Sequence, residues 1–98
     1  MGKVYLIGEL DNINRYKIGV SNKKKAEKRM NELQTGNPDE LYIRYVFETE
    51  KPFKLENLLH RHYAKNNILN EWFELNEEEA KDFPNICQKY QNIIFDSI

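Results

Sequence analysis

Cysteine, proline and glycine are scarce in this 98-residue chain, which holds one, three and four of them respectively. The single Cys87 cannot form an internal disulfide, and a cysteine-based zinc site would need thiolates that the chain lacks. No apolar run approaches the roughly 20 residues of a membrane span, and the run at residues 4–7 is too short for a signal peptide. The sequence therefore predicts a soluble, cytoplasmic protein with no membrane segment.

Linkers, repeats and low-complexity tracts are absent as well. The composition is 40% hydrophobic and 32% charged, which is typical of a globular chain rather than a disordered one. A chain of this length can bury one core but not two. We therefore expect a single domain over residues 1–98.

Positive charge is concentrated in one segment, although the net charge of the whole chain is only −1. Residues 15–29 contain a single acidic side chain, Glu27, and the following basic ones: Arg15, Lys17, Lys23, Lys24, Lys25, Lys28 and Arg29. Basic clusters of this kind attract polyanions such as DNA. The alternative is that Lys23, Lys24 and Lys25 only solvate the start of a helix.

Three segments have the apolar pattern of strands. Residues 3–8 form a short apolar run, and residues 15–20 alternate between apolar and polar side chains, as a half-buried strand does. Turn-forming residues 11–14 separate the two, which predicts a hairpin. Residues 41–48 alternate again and are rich in aromatic and β-branched side chains.

Apolar residues recur at helical spacing after each of the last two predicted strands. One helix should begin at Ser21 or Asn22 and end near residues 36–38, and a strongly amphipathic one should span residues 55–63. Asn76 and Glu79 resemble a capping box for a C-terminal helical region, residues 76–98, which Pro84 should divide into a short helix and a second one over about residues 84–95. The predicted fold class is α+β, with a small, three-stranded, largely antiparallel sheet flanked by helices.

An ordered set of motifs spans residues 3–75. It comprises Val4-Tyr5-Leu6, Lys17-Ile18-Gly19, Arg29, Glu56, His60, Tyr63 and Glu71-Trp72-Phe73. This set resembles the GIY-YIG endonuclease superfamily, and in particular its phage-type DNA-binding branch, in which the second motif is commonly Lys-Ile-Gly. The resemblance implies a three-stranded sheet with flanking helices, hydrolysis of phosphodiester bonds by water, and one divalent cation, Mg²⁺ or Mn²⁺.

Matched residue by residue, the resemblance places Tyr5 at the first-motif tyrosine, Arg29 at the helical arginine and Glu56 at the metal ligand. Lys17 stands where relatives have the second tyrosine, and Tyr16 beside it should point to the opposite face of the strand. Counting about 100° per residue, Glu56 and Arg29 each lie at the boundary between the apolar and polar faces of their predicted helices. A lone carboxylate such as Glu56 would hold the cation weakly without DNA.

The candidate catalytic residues are therefore Tyr5, Lys17, Arg29, Glu56 and His60. Tyr5 is preferred as the general base, with Lys17 lowering its pKa or contacting phosphate, and His60 is the competing candidate. Four of these residues also have a structural interpretation: Tyr5 as a strand aromatic, Arg29 and Glu56 in surface ion pairs, His60 as a surface residue. We interpret His62, Trp72 and Phe73 as core residues rather than site residues.

Three functions are compatible with these features. The first is a DNA-binding, divalent-metal-dependent endonuclease, and the second is a DNA-binding module of the same fold that does not cleave. The third is a protein-interaction domain with vestigial motifs. Sequence specificity would have to come from this domain, from a homodimer or from a partner protein.

Overall fold

In the computed structural model, residues 2–21 and 41–96 are described, and they form one antiparallel sheet with helices on it. The strands are β1 (Gly2–Glu9), β2 (Asn12–Ser21), β3 (Leu41–Thr49), β4 (Asn67–Leu69) and β5 (Trp72–Glu74). Helix α1 spans Pro52–His62, a 3₁₀ turn follows at Ala64–Asn66, and helix α2 spans Glu77–Asp96. The α+β class is confirmed, whereas the helix expected after Ser21 lies outside the described residues.

The sheet has the strand order β3-β1-β2-β5-β4, with all neighbours antiparallel. The first three strands are the ones that the alternating pattern predicts, but β2 begins at Asn12, within the expected turn. The prediction of three strands is wrong for the described part of the chain, because β4 and β5 add a short hairpin beside β2. Each of these two strands is three residues long, too short for its side chains to show a period.

Helix α1 begins with Pro52, whose fixed φ and missing N–H suit the first turn of a helix. It buries Leu55 and Leu59 against the sheet, and the N–H of Tyr63 closes its end by donating to the Leu59 carbonyl oxygen at 2.9 Å. The amphipathic helix predicted from residue 55 is therefore confirmed.

Helix α2 is continuous through Pro84, so the predicted division into two helices is wrong. Asn76 and Glu79 form the expected capping box: Asn76 Oδ1 accepts from the Glu79 N–H at 2.8 Å, and Glu79 Oε1 accepts from the Asn76 N–H at 3.0 Å. Proline costs about 3 kcal/mol in a helix interior. Burial of apolar side chains on both sides of Pro84, such as Phe83 and Cys87, offsets that cost.

The core has two layers, one on each face of the sheet. The larger layer joins Val4, Leu6, Tyr16 and Ile18 of the sheet to buried side chains of both helices, namely Leu55, Leu59, Ala80, Phe83, Cys87 and Ile94. The smaller layer contains Tyr5, Ile7 and Leu41, with Ile43 and Trp72 packed against them. Alternation along β1 and β2 thus sends adjacent residues to opposite layers.

Neither helix described in residues 41–96 is both long and apolar enough to cross a membrane.

Candidate functional site

Strand pairing places Tyr5 and Lys17 on the same face of the sheet. Tyr5 of β1 lies opposite Gly19 of β2, and Lys17 lies opposite Ile7, so both side chains belong to the face with the smaller core layer. Tyr5 is buried, and its ring edge approaches Gly19, where an added Cβ would lie 3.4 Å away. A Cβ at Gly19 would therefore touch the Tyr5 ring only at ordinary van der Waals distance.

Tyr16 lies on the other face, as the alternation predicts. Its ring belongs to the larger core layer, and its hydroxyl accepts a hydrogen bond from Arg44 at 2.8 Å. Burial and a hydrogen bond with Tyr42 raise the pKa of Tyr16, although the Arg44 guanidinium acts in the opposite direction. Tyr16 cannot take the place of the second-motif tyrosine, because the sheet separates it from Tyr5 and Lys17.

Helix α1 supplies Glu56 and His60, one helical turn apart. Glu56 Oε2 lies 4.0 Å from His60 Nε2, which is too far for a hydrogen bond. The same Nε2 lies 3.3 Å from the carbonyl oxygen of Ile18 in β2. A carbonyl oxygen only accepts, so in this contact Nε2 carries the proton, and Nδ1 is the nitrogen that can accept one while the ring is neutral.

Glu71, at the turn between β4 and β5, connects the two parts of the site. Its Oε2 lies 3.1 Å from Lys17 Nζ, and its carbonyl oxygen accepts the N–H of Ile18 at 3.1 Å. The backbone of Ile18 therefore binds Glu71 through its N–H and approaches His60 through its carbonyl oxygen. This double contact holds the β4–β5 hairpin and helix α1 at the same point of β2.

The carboxylate of Glu56 lies in an unfavourable electrostatic position. Burial raises its pKa above the usual value, the nearby His60 lowers it, and the negative charge of Glu71 raises it again. The side chain is only 15% exposed, so water offsets little of this cost. A cation beside Glu56 would stabilise the charged form.

Few side chains of the site could act as ligands of a metal ion. Within residues 2–21 and 41–96, no three His, Cys, Asp or Glu side chains are arranged to hold one. A hard cation here would take an oxygen from Glu56 and complete its shell with water and phosphate oxygens, as Mg²⁺ commonly does. Among the described residues, the site thus offers the single carboxylate of Glu56 and no preformed multi-ligand cluster.

A surface cleft of about 280 Å³ adjoins the site. His60 lines it together with Ala64, Asn67, Asn70 and Phe73. The His60 ring meets Phe73 edge to face, with centroids 5.1 Å apart, and Asn67 Nδ2 donates to the carbonyl oxygens of Asn70 and Trp72. The cleft thus opens beside the imidazole, on the side of the β4–β5 hairpin.

The remaining predicted residues divide into two groups. Arg29 and the basic residues Lys23, Lys24, Lys25 and Lys28 lie outside the described part of the chain, so their roles stay predictions. The core interpretation is confirmed for Phe73, which is fully buried, whereas His62 is only half-buried, with its Nδ1 3.0 Å from the Tyr90 hydroxyl. Trp72 is half-buried and lies beneath the Arg15 guanidinium at 5.2 Å.

The sequence analysis assigned no role to Glu71, Asn67 or Asn70. The sequence does contain a pattern that predicts this hairpin. The apolar pair Ile68-Leu69 and the aromatic pair Trp72-Phe73 flank Asn70-Glu71, which is typical of two strands joined by a two-residue turn. Asn70 adopts φ 53°, a left-handed conformation that asparagine tolerates better than most residues. That turn brings Glu71 to Lys17.

Comparisons with known proteins give one match. Neither the curated proteins nor the solved structures include a significant match to this chain. Among protein-family models, the T5orf172 domain matches residues 2–88. That range contains Tyr5, Lys17, Glu56, His60 and Glu71, and it covers most of the sequence, so the chain belongs to the T5orf172 domain family.

Proposed function

We propose that this protein binds DNA and hydrolyses its phosphodiester bonds with the help of one divalent cation, Mg²⁺ or Mn²⁺. The observation that carries the proposal is the position of Glu56, whose largely buried carboxylate lies beside His60 and within the field of Glu71. Glu71 in turn contacts Lys17 on the face that holds Tyr5. The motif resemblance to GIY-YIG endonucleases supports the same reaction.

The side chains of the site divide the chemistry among them. Glu56 would hold the cation, which when bound supplies Lewis-acid assistance and neutralises charge on the phosphate. Lys17 contacts a phosphate oxygen through its ammonium group. Arg29, which the resemblance places in the site, supplies a guanidinium fork suited to the charge that develops on the phosphate.

The general base is Tyr5 in this proposal. Tyr5 shares a face of the sheet with Lys17, whose partner in β1, Ile7, lies two residues along from Tyr5. His60 is less suitable through Nε2, because that nitrogen is already directed at the Ile18 carbonyl oxygen. His60 instead acts on Glu56 electrostatically from one turn away and lowers the pKa of that carboxyl group.

A DNA-binding module that does not cleave is the second candidate. The observation in its favour is Lys17, which occupies the second-motif tyrosine position and lies in an ion pair with Glu71. Because a lysine occupies that position, this face of the sheet carries one motif tyrosine instead of two. DNA binding through the basic segment is common to both candidates.

A nicking assay separates the two candidates. Supercoiled plasmid is incubated with the protein in Mg²⁺, in Mn²⁺ and in EDTA, and we expect open-circular product with either metal and none in EDTA. DNA retention is measured in parallel over a range of salt concentrations. Retention without nicking would favour the non-cleaving module, and the absence of both would reject a DNA function.

A further inference from the structure

We propose that Glu71 is an intramolecular competitor of DNA: its carboxylate occupies the place at Lys17 that a backbone phosphate takes, and DNA must displace it. This inference rests on the DNA binding in the proposed function but not on cleavage. It assigns to Glu71 the role of setting affinity and salt dependence. Glu71 itself does not contact DNA in this role, because it acts only through its ion pair with Lys17.

The geometry of the pair suits such an exchange. Lys17 is 14% exposed and Glu71 is 44% exposed, so the carboxylate forms the outer half of the ion pair. The N···O distance of 3.1 Å is also one that an ammonium–phosphate contact would adopt. A phosphate oxygen approaching from solvent therefore meets Glu71 before it meets Lys17.

The backbone holds the competitor in place at a low entropic cost. The hydrogen bond from the Ile18 N–H to the Glu71 carbonyl oxygen fixes the main chain of Glu71 next to Lys17, which adjoins Ile18 in β2. The side chain can then leave Lys17 by rotation alone, without any change in the hairpin. Displacement thus needs a rotamer change and not unfolding.

The exchange changes the dependence of binding on salt. A lysine that was unpaired releases about 0.9 counterions when it contacts a DNA phosphate. When the lysine first leaves a carboxylate, a cation gathers at that carboxylate, and the net release is smaller. Removing the Glu71 charge should thus make the plot of log K against log salt steeper.

The test is a titration of a short DNA duplex in EDTA, followed by fluorescence anisotropy at several salt concentrations. Glu71→Gln keeps the size of the side chain and removes its charge. We expect it to bind about 3- to 10-fold more tightly at low salt, with a slope steeper by up to about 0.9. Lys17→Met in the same background should abolish both gains.

Glu74→Gln is the matched control, since Glu74 is an exposed glutamate of strand β5 and its loss changes the net charge equally. A Glu71→Gln effect no larger than that of Glu74→Gln would overturn the inference, as would a gain that persists without Lys17. If the wild type binds DNA and Glu71→Gln binds it with the same affinity and salt slope, this inference alone is rejected. Loss of binding in both proteins would reject DNA binding and the inference together, whereas failure to nick plasmid has no bearing on it.

Discussion

Glu56 bears the largest part of the proposed chemistry, and its surroundings explain why. Its carboxylate is taken out of water by helix α1 and the sheet, with a second carboxylate nearby. Such a group gains little from the folded state, which is why we propose Glu56 as the ligand of a cation.

Replacing Glu56 with alanine should abolish cleavage and preserve the fold. We expect a loss on the order of a thousandfold in single-turnover rate, because the cation loses its protein ligand. DNA affinity should hold or rise slightly, since a negative charge near phosphate is removed, and the protein should stay folded, because the carboxylate that is lost lies in an unfavourable electrostatic position. Glu48→Ala, which removes an exposed glutamate from strand β3, serves as the control. Equal cleavage rates in wild type and Glu56→Ala would contradict the assignment.

The sequence predicts some of these residue positions better than others. The common face of Tyr5 and Lys17 follows from strand alternation and the hairpin between β1 and β2, both of which are local. The boundary position of Glu56 follows from helical spacing alone. The partner of Lys17 could not be predicted in this way, because Glu71 reaches it from a hairpin more than 50 residues away in the chain.

At the scale of elements, helix α2 shows how packing overrides a local signal. Proline lacks the N–H that would bond to the carbonyl of Ala80, and this deficit alone predicts a break. The break does not occur, because the capping box fixes the start of the helix and buried residues on both sides of Pro84 hold it to the core.

Replacing Pro84 with alanine should therefore stabilise the protein. The substitution restores one helical hydrogen bond, and the gain is partly offset by the greater freedom of the unfolded chain, so we expect about 1–2 kcal/mol in the free energy of unfolding. Urea denaturation followed by circular dichroism measures it. Asn85→Ala, an exposed neighbour in the same helix, should change stability much less. A destabilised Pro84→Ala variant would mean that the proline ring contributes more by packing than it costs.

At the scale of the whole molecule, His62 couples helix α1 to helix α2. Its Nδ1 lies at hydrogen-bonding distance from the Tyr90 hydroxyl, and the two rings meet edge to face. Burial lowers the pKa of His62, and the positive charges of Lys89 and Lys65 lower it further. The folded state thus favours the neutral imidazole.

The pH dependence of stability follows from that shift. The unfolded chain protonates His62 near its usual pKa of about 6.5, whereas the folded chain does so only at lower pH. The contribution of His62 to the free energy of unfolding is therefore complete above about pH 6.5, and it is lost as pH falls through the folded-state pKa. His62→Gln should make the free energy of unfolding depend less on pH in this range, as measured by urea denaturation at a series of pH values. Arg61→Gln, at an exposed neighbouring position, should keep the wild-type slope, and an unchanged slope in His62→Gln would exclude His62 as the cause.

Strand β1 and the β4–β5 hairpin differ in how readily their amides exchange with solvent deuterium. β1 has paired neighbours on both edges and buried side chains on both faces, so its amides become accessible only when nearly the whole molecule opens. The hairpin lies at the edge of the sheet, where opening requires much less free energy. Tyr5 thus belongs to the slow-exchanging core, whereas Glu71, in the turn of the hairpin, belongs to the part of the molecule whose amides should exchange sooner.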